Sequence, residues 1–219
     1  MTAAWIFDLD NTLYPASCRL FDQVDARIGA YVQHVLGLAD RGEARRIQKA
    51  YLRSHGTTLR GLMDEHGVDP DAYMAHVHDI DVTPVPPDPA LDAALARLPG
   101  RKLIFTNGDR RHAARVLDRL GVAHHIEAVV DSAATDHVPK PHAYAYDVLV
   151  ARHAVDPARA VLVDDMPRNL EPAAARGMTT VWVEHDSAWA RLDHTGDEPF
   201  IHHRTRDLAA WLRRAASGA

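Results

Sequence analysis

The chain has 219 residues, 47% hydrophobic and 25% charged, with a formal net charge of −5 and a single cysteine, Cys18. That is the composition of an ordinary globule with one sizeable core and room for a small accessory domain. It carries no basic footprint for nucleic acid or an anionic membrane, no apolar run near the roughly 20 residues that span a bilayer, and no intramolecular disulfide. The lone thiol fits a reducing compartment and the N-terminus lacks a signal-peptide pattern, so the expected location is cytoplasmic.

The first predicted strand, 4–10, is an apolar run that ends in two carboxylates, Asp8 and Asp10. On a strand, positions i and i+2 share a face, and two like charges that close require a cation or a shared proton. The plain alternative is an acidic turn. An EF-hand loop is excluded, because the positions that need Gly and Glu hold Leu13 and Arg19.

About ninety residues separate this strand from the next. Phe21, Val24, Ile28, Tyr31 and Val35 recur at spacings of three and four, which predicts a one-faced helix. Ala44, Ile47 and Tyr51 repeat the pattern, and shorter helices are expected at 58–66 and 70–79. A proline-rich stretch from Thr83 to Pro89 then marks a domain boundary. The expected organisation is an α/β core of residues 1–14 and 90–219, with residues 15–89 forming an inserted helical cap and linker. Leaving after Asp10 and returning before Thr106, the insertion must overhang the strand ends, where it can exclude water and select substrate.

Strand 102–107 ends in Thr106-Asn107-Gly108-Asp109. A strand at 127–131 follows, then Lys140-Pro141, with Pro141 placed to open a helix. Strand 160–164 runs into Asp164-Asp165 with Asn169 four residues on, and 179–184 and 200–203 complete the set. Strands alternating with helical stretches imply a Rossmann-like parallel sheet. Singly, Thr106 could cap a helix, Lys140 could be a solvated charge and Asp164-Asp165 could start a helix. Together they gather hydroxyl, ammonium and carboxylates on the edge where such sheets bind ligands. Lysine occurs only at 49, 102 and 140, so a Lys kept at 140 suggests that a compact ammonium is wanted there. The fifteen histidines, with clusters at His76/His78, His124/His125 and His202/His203, match no zinc spacing and read as scattered surface residues.

Asp8-Leu9-Asp10-Asn11-Thr12, Thr106-Asn107, Lys140 and Asp164-Asp165 resemble, in order, the four motifs of the haloacid dehalogenase-like hydrolase superfamily. Within it the chain is most similar to pyrimidine 5′-nucleotidases, through Phe7 to Pro15, His55 to Leu62 and Phe105 to Asp109; the likeness covers residue 4 to about 185. The resemblance implies a magnesium-dependent phosphomonoester hydrolase acting on a small molecule, a nucleotide such as UMP or CMP. It implies that Asp8 is the nucleophile that becomes an aspartyl-phosphate and that Asp10 is the general acid and base. Mg²⁺ would be held by Asp8, Asp165 and the Asp10 carbonyl, with Asp164 and Asn169 orienting its surroundings; many relatives have Asp where this chain has Asn169. Thr106, the Asn107 N–H and Lys140 would hold phosphate oxygens.

Related dehalogenases lack an acid/base at the Asp10 position and need no metal, so Asp10 favours phosphoryl chemistry. Thr57, Thr58 and Arg60 are the expected specificity residues of the cap, against the plainer reading of helix-capping threonines and a solvated arginine. A broad-range phosphatase and a phosphomutase are the alternatives within the superfamily. A phospho-accepting receiver domain is disfavoured by motif order. A non-catalytic protein on this fold is disfavoured because every motif position is filled.

Overall fold

In a computed structural model, which describes residues 2–187 and 194–217, six short runs form one parallel sheet. The strands are β1 (Ala4–Phe7), β2 (Arg101–Phe105), β3 (Ala128–Val130), β4 (Ala160–Asp164), β5 (Thr179–Val183) and β6 (His203–Thr205), in spatial order β3-β2-β1-β4-β5-β6. Every residue of β1 and β4 is buried, as expected of central parallel strands covered on both faces.

Helix α5 (Pro89–Arg97) precedes β2, α6 (Arg110–Leu120) follows it, α7 (Ala143–His153) and α8 (Pro167–Ala174) flank β4, and α9 (Leu208–Ala216) follows β6. Alternate strand residues feed two cores. Trp5, Phe7, Ile104, Val161 and Val163 pack with Leu91, Leu95, Val116 and Leu212 on one face. On the other, Ile6, Leu103, Phe105 and Leu162 pack with Tyr146, Leu149 and Leu170. Because β2 and β4 lie on opposite sides of β1, the chain reverses direction at the sheet centre. The crevice at the carboxyl ends of β1 and β4 is therefore the natural ligand position.

Between β1 and β2 lie α1 (Leu20–Val35), α2 (Arg41–Ser54), α3 (Thr58–His66) and α4 (Pro70–Val77), the earlier labels completing nine helices among the described residues. These four have an apolar cluster of their own, built on Val32, Ala44, Leu59, Leu62, Tyr73 and Val77. The start of α1 belongs to the main core, where Leu20 and Val24 meet Ile80 and Val85. The proline-rich stretch is pinned rather than free: Val85 is fully buried, and Arg119 donates to the carbonyls of Thr83 and Val85 over 3.0–3.2 Å.

Several expected boundaries move. Strand β1 stops at Phe7 instead of residue 10, because the Leu9 carbonyl accepts the Thr12 and Leu13 N–H groups (3.3 and 3.0 Å) and turns the chain. Asn11 takes a left-handed φ of 59° in that turn, which Asn tolerates better than most residues. Asp8 and Asp10 thus leave a turn rather than one face of a strand. The last strand is 203–205 rather than 200–203, and α4 ends at Val77, two residues early. Pro141 does not open a helix; α7 begins at Ala143 behind the capping side chain of His142. No helix among the described residues is long and apolar enough to cross a membrane.

Candidate active site

The motif residues converge at the strand ends. Asp8 follows β1, and its N–H still pairs with the Val163 carbonyl of β4 at 2.9 Å. One carboxylate oxygen accepts from Lys140 Nζ at 2.8 Å and the other from the Thr12 hydroxyl at 3.1 Å. Lys140 is 1% exposed and gives its other two protons to Asp164 Oδ2 at 2.7 Å and the Phe105 carbonyl at 2.8 Å. All three ammonium donors are matched. Asn107 holds the Lys140 backbone from both sides, accepting its N–H at 2.8 Å and donating to its carbonyl at 3.2 Å. Thr106 Oγ1 accepts the Gly108 N–H at 3.0 Å, which leaves its own proton to give.

Asp8, Asp164 and Asp165 bring ligand oxygens within 4.8 Å of one another, all buried. Lys140 bonds Asp8 and Asp164 while Asp165 pairs with His185, so three buried carboxylates face one ammonium and the centre holds excess negative charge. Burial and the charges of Asp164 and Asp165 raise the Asp8 pKa well above the ordinary carboxylate range, although Lys140 pulls it down. Burial, helped by Asp164 and opposed by His185, raises that of Asp165 to about 6. A divalent cation relieves this repulsion. Asp164 itself is saturated, with the Met166 N–H and the Asn169 amide added to Lys140 (2.7–3.1 Å). The Asn169 amide oxygen, by contrast, is buried beside the cluster with no partner among the described residues. An orphaned hard oxygen next to surplus negative charge fits a hydrated oxygen-loving ion.

Asp10 is positioned by residues that the motifs did not point to. Its Oδ1 accepts from the Tyr14 hydroxyl at 2.7 Å and from His112 Nε2 at 2.7 Å. Burial opposes the Asp10 charge, but His112 and Tyr14 outweigh it and hold the pKa at about 2. The reading of the histidines as scattered surface groups is corrected here. His112 is 1% and His78 8% exposed; their rings stack at 4.4 Å and 8°, and His185 donates to Asp165 Oδ2 at 2.8 Å. Position gave the only signal: His112 lies on the apolar face of α6 with Ala113, Val116 and Leu117.

A cavity of about 150 Å³ lies between this edge and the inserted helices; Asp8, Asp10, Thr106, Asn107, Lys140 and Asp165 line one side and Val24, Ile28, Gln48, Leu52 and Met74 the other. Thr57 and Thr58 reach its wall with their hydroxyl groups engaged in local structure, Thr57 as an acceptor that keeps its own proton. Thr57 accepts the Arg60 N–H as the cap of α3 (3.1 Å), and Thr58 donates to the Gln48 carbonyl (3.1 Å). Arg60 does not line the cavity; it pairs with Asp64 one helical turn on, at 2.5–2.9 Å, because that carboxylate sits at the i+4 position its side chain reaches. Arg168, from α8, bridges core and insertion by donating to the carbonyls of Leu52 and Gly56 (3.1 and 2.9 Å).

The order and placement of these residues agree with a family match. Residues 2–177 match the haloacid dehalogenase-like hydrolases. The chain belongs to that family. Among its relatives, the glyceraldehyde 3-phosphate phosphatase of Methanopyrus kandleri is 30% identical over 99% of both chains. Phosphate metabolism protein 8 of Saccharomyces cerevisiae is 25% identical over 80% of this chain, which spans 59% of the yeast protein's length. The fold is shared with a phosphatase of the family from Thermococcus onnurineus (TM-score 0.63, 21% identity, 100% and 99% of the two chains). It is shared equally with the L-2-haloacid dehalogenase of Xanthobacter autotrophicus (TM-score 0.62, 18% identity, 100% of both). As a haloacid dehalogenase-like hydrolase, the chain carries its four motifs on the sheet edge that the fold reserves for ligands.

Proposed function

We propose that this hydrolase cleaves phosphate monoesters with Mg²⁺, through an aspartyl-phosphate on Asp8, and that pyrimidine 5′-monophosphates are its preferred substrates. The observation that carries the reading is the buried triad of Asp8, Asp164 and Asp165, two of them bonded to Lys140, with a fourth carboxylate, Asp10, held separately at the cavity wall. Asp8 and Asp165, with the Asp10 carbonyl, would hold the ion, and Asp164 and Asn169 would orient its surroundings. When bound, the ion neutralises the phosphate's charge and fixes it for in-line attack.

Asp8 attacks phosphorus; Asp10, a carboxylate in the free site, takes up a proton once the anionic phosphate is bound beside it and gives that proton to the leaving alkoxide. Asp10 then deprotonates the water that hydrolyses the acyl phosphate, so phosphate leaves and Asp8 is regenerated. Lys140 fixes the nucleophile and places a positive charge beside the transferring group. The free proton of Thr106 and the Asn107 N–H, which has no partner among the described residues, are suited to the non-bridging oxygens. Residues 15–89 act as the cap that selects the leaving group, and the apolar inner wall suits the face of a small base.

A second reading has its own support. The relative that is similar over 99% of both chains is named for glyceraldehyde 3-phosphate, which favours a broad-range small-molecule phosphatase. Phosphate release with Mg²⁺ from UMP, CMP, AMP, glyceraldehyde 3-phosphate and other sugar phosphates decides between them. The nucleotidase reading expects UMP and CMP to exceed the rest in kcat/KM by about tenfold or more, a ratio a steric pocket can supply. Comparable values across the panel would leave the broad phosphatase.

A further inference from the structure

Unlike Asp8 and Asp164, Asp10 has no lysine on its carboxylate. Its Oδ1 instead takes two convergent donors, Tyr14 and His112, both at 2.7 Å, while Oδ2 has no protein partner among the described residues. One hydrogen bond would let the carboxylate pivot about the bonded oxygen; two fix its plane. Neither donor lines the cavity, whereas Asp10 does. The arrangement therefore pins one oxygen from behind and presents the other to the substrate.

The His112 ring is itself held. Its side chain is fully buried and Nδ1 has no partner among the described residues, so the proton that bonds to Asp10 belongs on Nε2. Asp109 caps α6 by accepting the His112 N–H at 2.7 Å, and its second oxygen meets His78 Nδ1 at 3.0 Å. That contact sets the His78 ring flat on the His112 ring. His78 is the C-cap of α4, the last helix of the insertion, and it lines the cavity. Its carbonyl is gripped by Arg115 of α6 at 3.0 Å. A continuous stack thus runs from the end of the inserted helices, through His78 and His112, to the oxygen of Asp10.

We propose that His112 is a positioning residue for the general acid and base, with the His78 ring as its backstop on the cap side. It acts through Asp10 and touches neither substrate nor metal. The inference rests on the reading of Asp10 as the proton carrier. A carboxylate misplaced by about 1 Å loses on the order of 100-fold in rate, and the loss falls only on steps that need its proton.

The test measures kcat/KM, which reports the first chemical step, for an alkyl phosphate such as UMP and for p-nitrophenyl phosphate, whose leaving group needs no proton. His112→Phe keeps a planar aromatic ring, somewhat larger than the imidazole, but removes the donor. It is expected to lower kcat/KM for the alkyl ester by about 100-fold and for the nitrophenyl ester by less than about threefold. His112→Gln, which restores an N–H, should recover about tenfold of the alkyl loss. Tyr14→Phe, which removes the other donor on the same oxygen, should give the same selective loss and serves if His112→Phe does not fold. Equal losses on both esters, or none, would overturn the positioning role. Asp10→Asn run alongside separates the two ideas. If it shows the selective loss and the His112 and Tyr14 variants do not, only the positioning role falls. If Asp10→Asn shows no selectivity, the proton-carrier reading falls and the positioning role with it.

Discussion

Lys140 and Asp8 lie 132 residues apart in sequence, yet the ammonium of one sits 2.8 Å from the carboxylate of the other, at a point where the lysine is 1% exposed. With Asp164 and the Phe105 carbonyl as its other acceptors, Lys140 is a tetrahedral donor in a three-acceptor socket. Removing it strands two buried carboxylates. Lys140→Ala should therefore cost about 3–5 kcal/mol in metal-free urea unfolding, and Mg²⁺ should return part of it by supplying the missing charge. Lys140→Arg keeps the charge but offers a planar fork that cannot meet three acceptors, so turnover should still fall about 100-fold. An arginine variant with near-full activity would show that the site needs only a positive charge there.

Asp8 and Asp10 divide the labour, so their amides should fail differently. Asp8→Asn removes the nucleophile and one metal charge together, and turnover should fall by roughly four orders of magnitude on every ester. Asp10→Asn should retain metal affinity, because the oxygen offered to the ion there is the backbone carbonyl. With p-nitrophenyl phosphate it should accumulate the aspartyl-phosphate, since the first step needs no acid but the second needs a base. Peptide mass analysis after acid quench locates the phosphoryl group. Label on any residue but Asp8, or wild-type activity that survives EDTA, would refute the chemistry.

The fold was legible because buried parallel strands are written as unbroken apolar runs, and because a ninety-residue helical gap followed by prolines has few other readings. The convergence of the motif residues was legible for a similar reason: they are the polar residues at which the apolar runs stop, on one edge of the sheet. Tyr14, His112, His78 and His185 were not legible. Each is an ordinary residue whose meaning lies in a contact made across the fold, His112 to Asp10 over 102 positions. The threonines of the insertion carry both of their readings. Thr57 and Thr58 stand in the segment that carries the subfamily likeness, yet helix capping and a backbone carbonyl claim their hydroxyls.

The Asp10–His112 pair gives a distinct pH signature of stability. Asp10 is held at about 2, below its ordinary 3.8, so its contribution is present above pH 3.8 and lost as pH falls through about 2. His112 is raised above its ordinary 6.5: burial disfavours its charge, but Asp10 prevails. Its contribution is present below 6.5 and lost as pH rises through the folded value. The stability difference between wild type and Asp10→Asn, measured without metal, should be largest between about pH 4 and 6.5 and reach about 2 kcal/mol. Because protonated His112 buries an Nδ1–H with no acceptor, part of its gain is offset and the acid side should be the steeper flank. A difference that grows steadily toward alkaline pH would contradict the pairing.

Inside the insertion, Gly61 of α3 lies against the Tyr51 ring of α2. A Cβ built at Gly61 would come within 2.5 Å of Tyr51 Cγ and 2.7 Å of Cδ1. Alanine in place of glycine within a helix is ordinarily favourable by up to about 1 kcal/mol. Here the ring's base rather than its tip is in the way, so the two helices must part, at about 1–3 kcal/mol. Gly61→Ala should therefore be net destabilising. Because the cavity wall includes Gln48 and Leu52 of α2, it should raise KM for a full-sized substrate more than it lowers kcat. In a Tyr51→Gly background both the ring and the Cβ that stands 2.8 Å from the built atom are gone, so the same substitution should become neutral or stabilising. Amide exchange of α2 and α3, read beside the kinetics, checks the cause: faster exchange confined to these helices is the expected result. Unchanged exchange together with a raised KM would mean that the α2–α3 contact does not set the cavity wall.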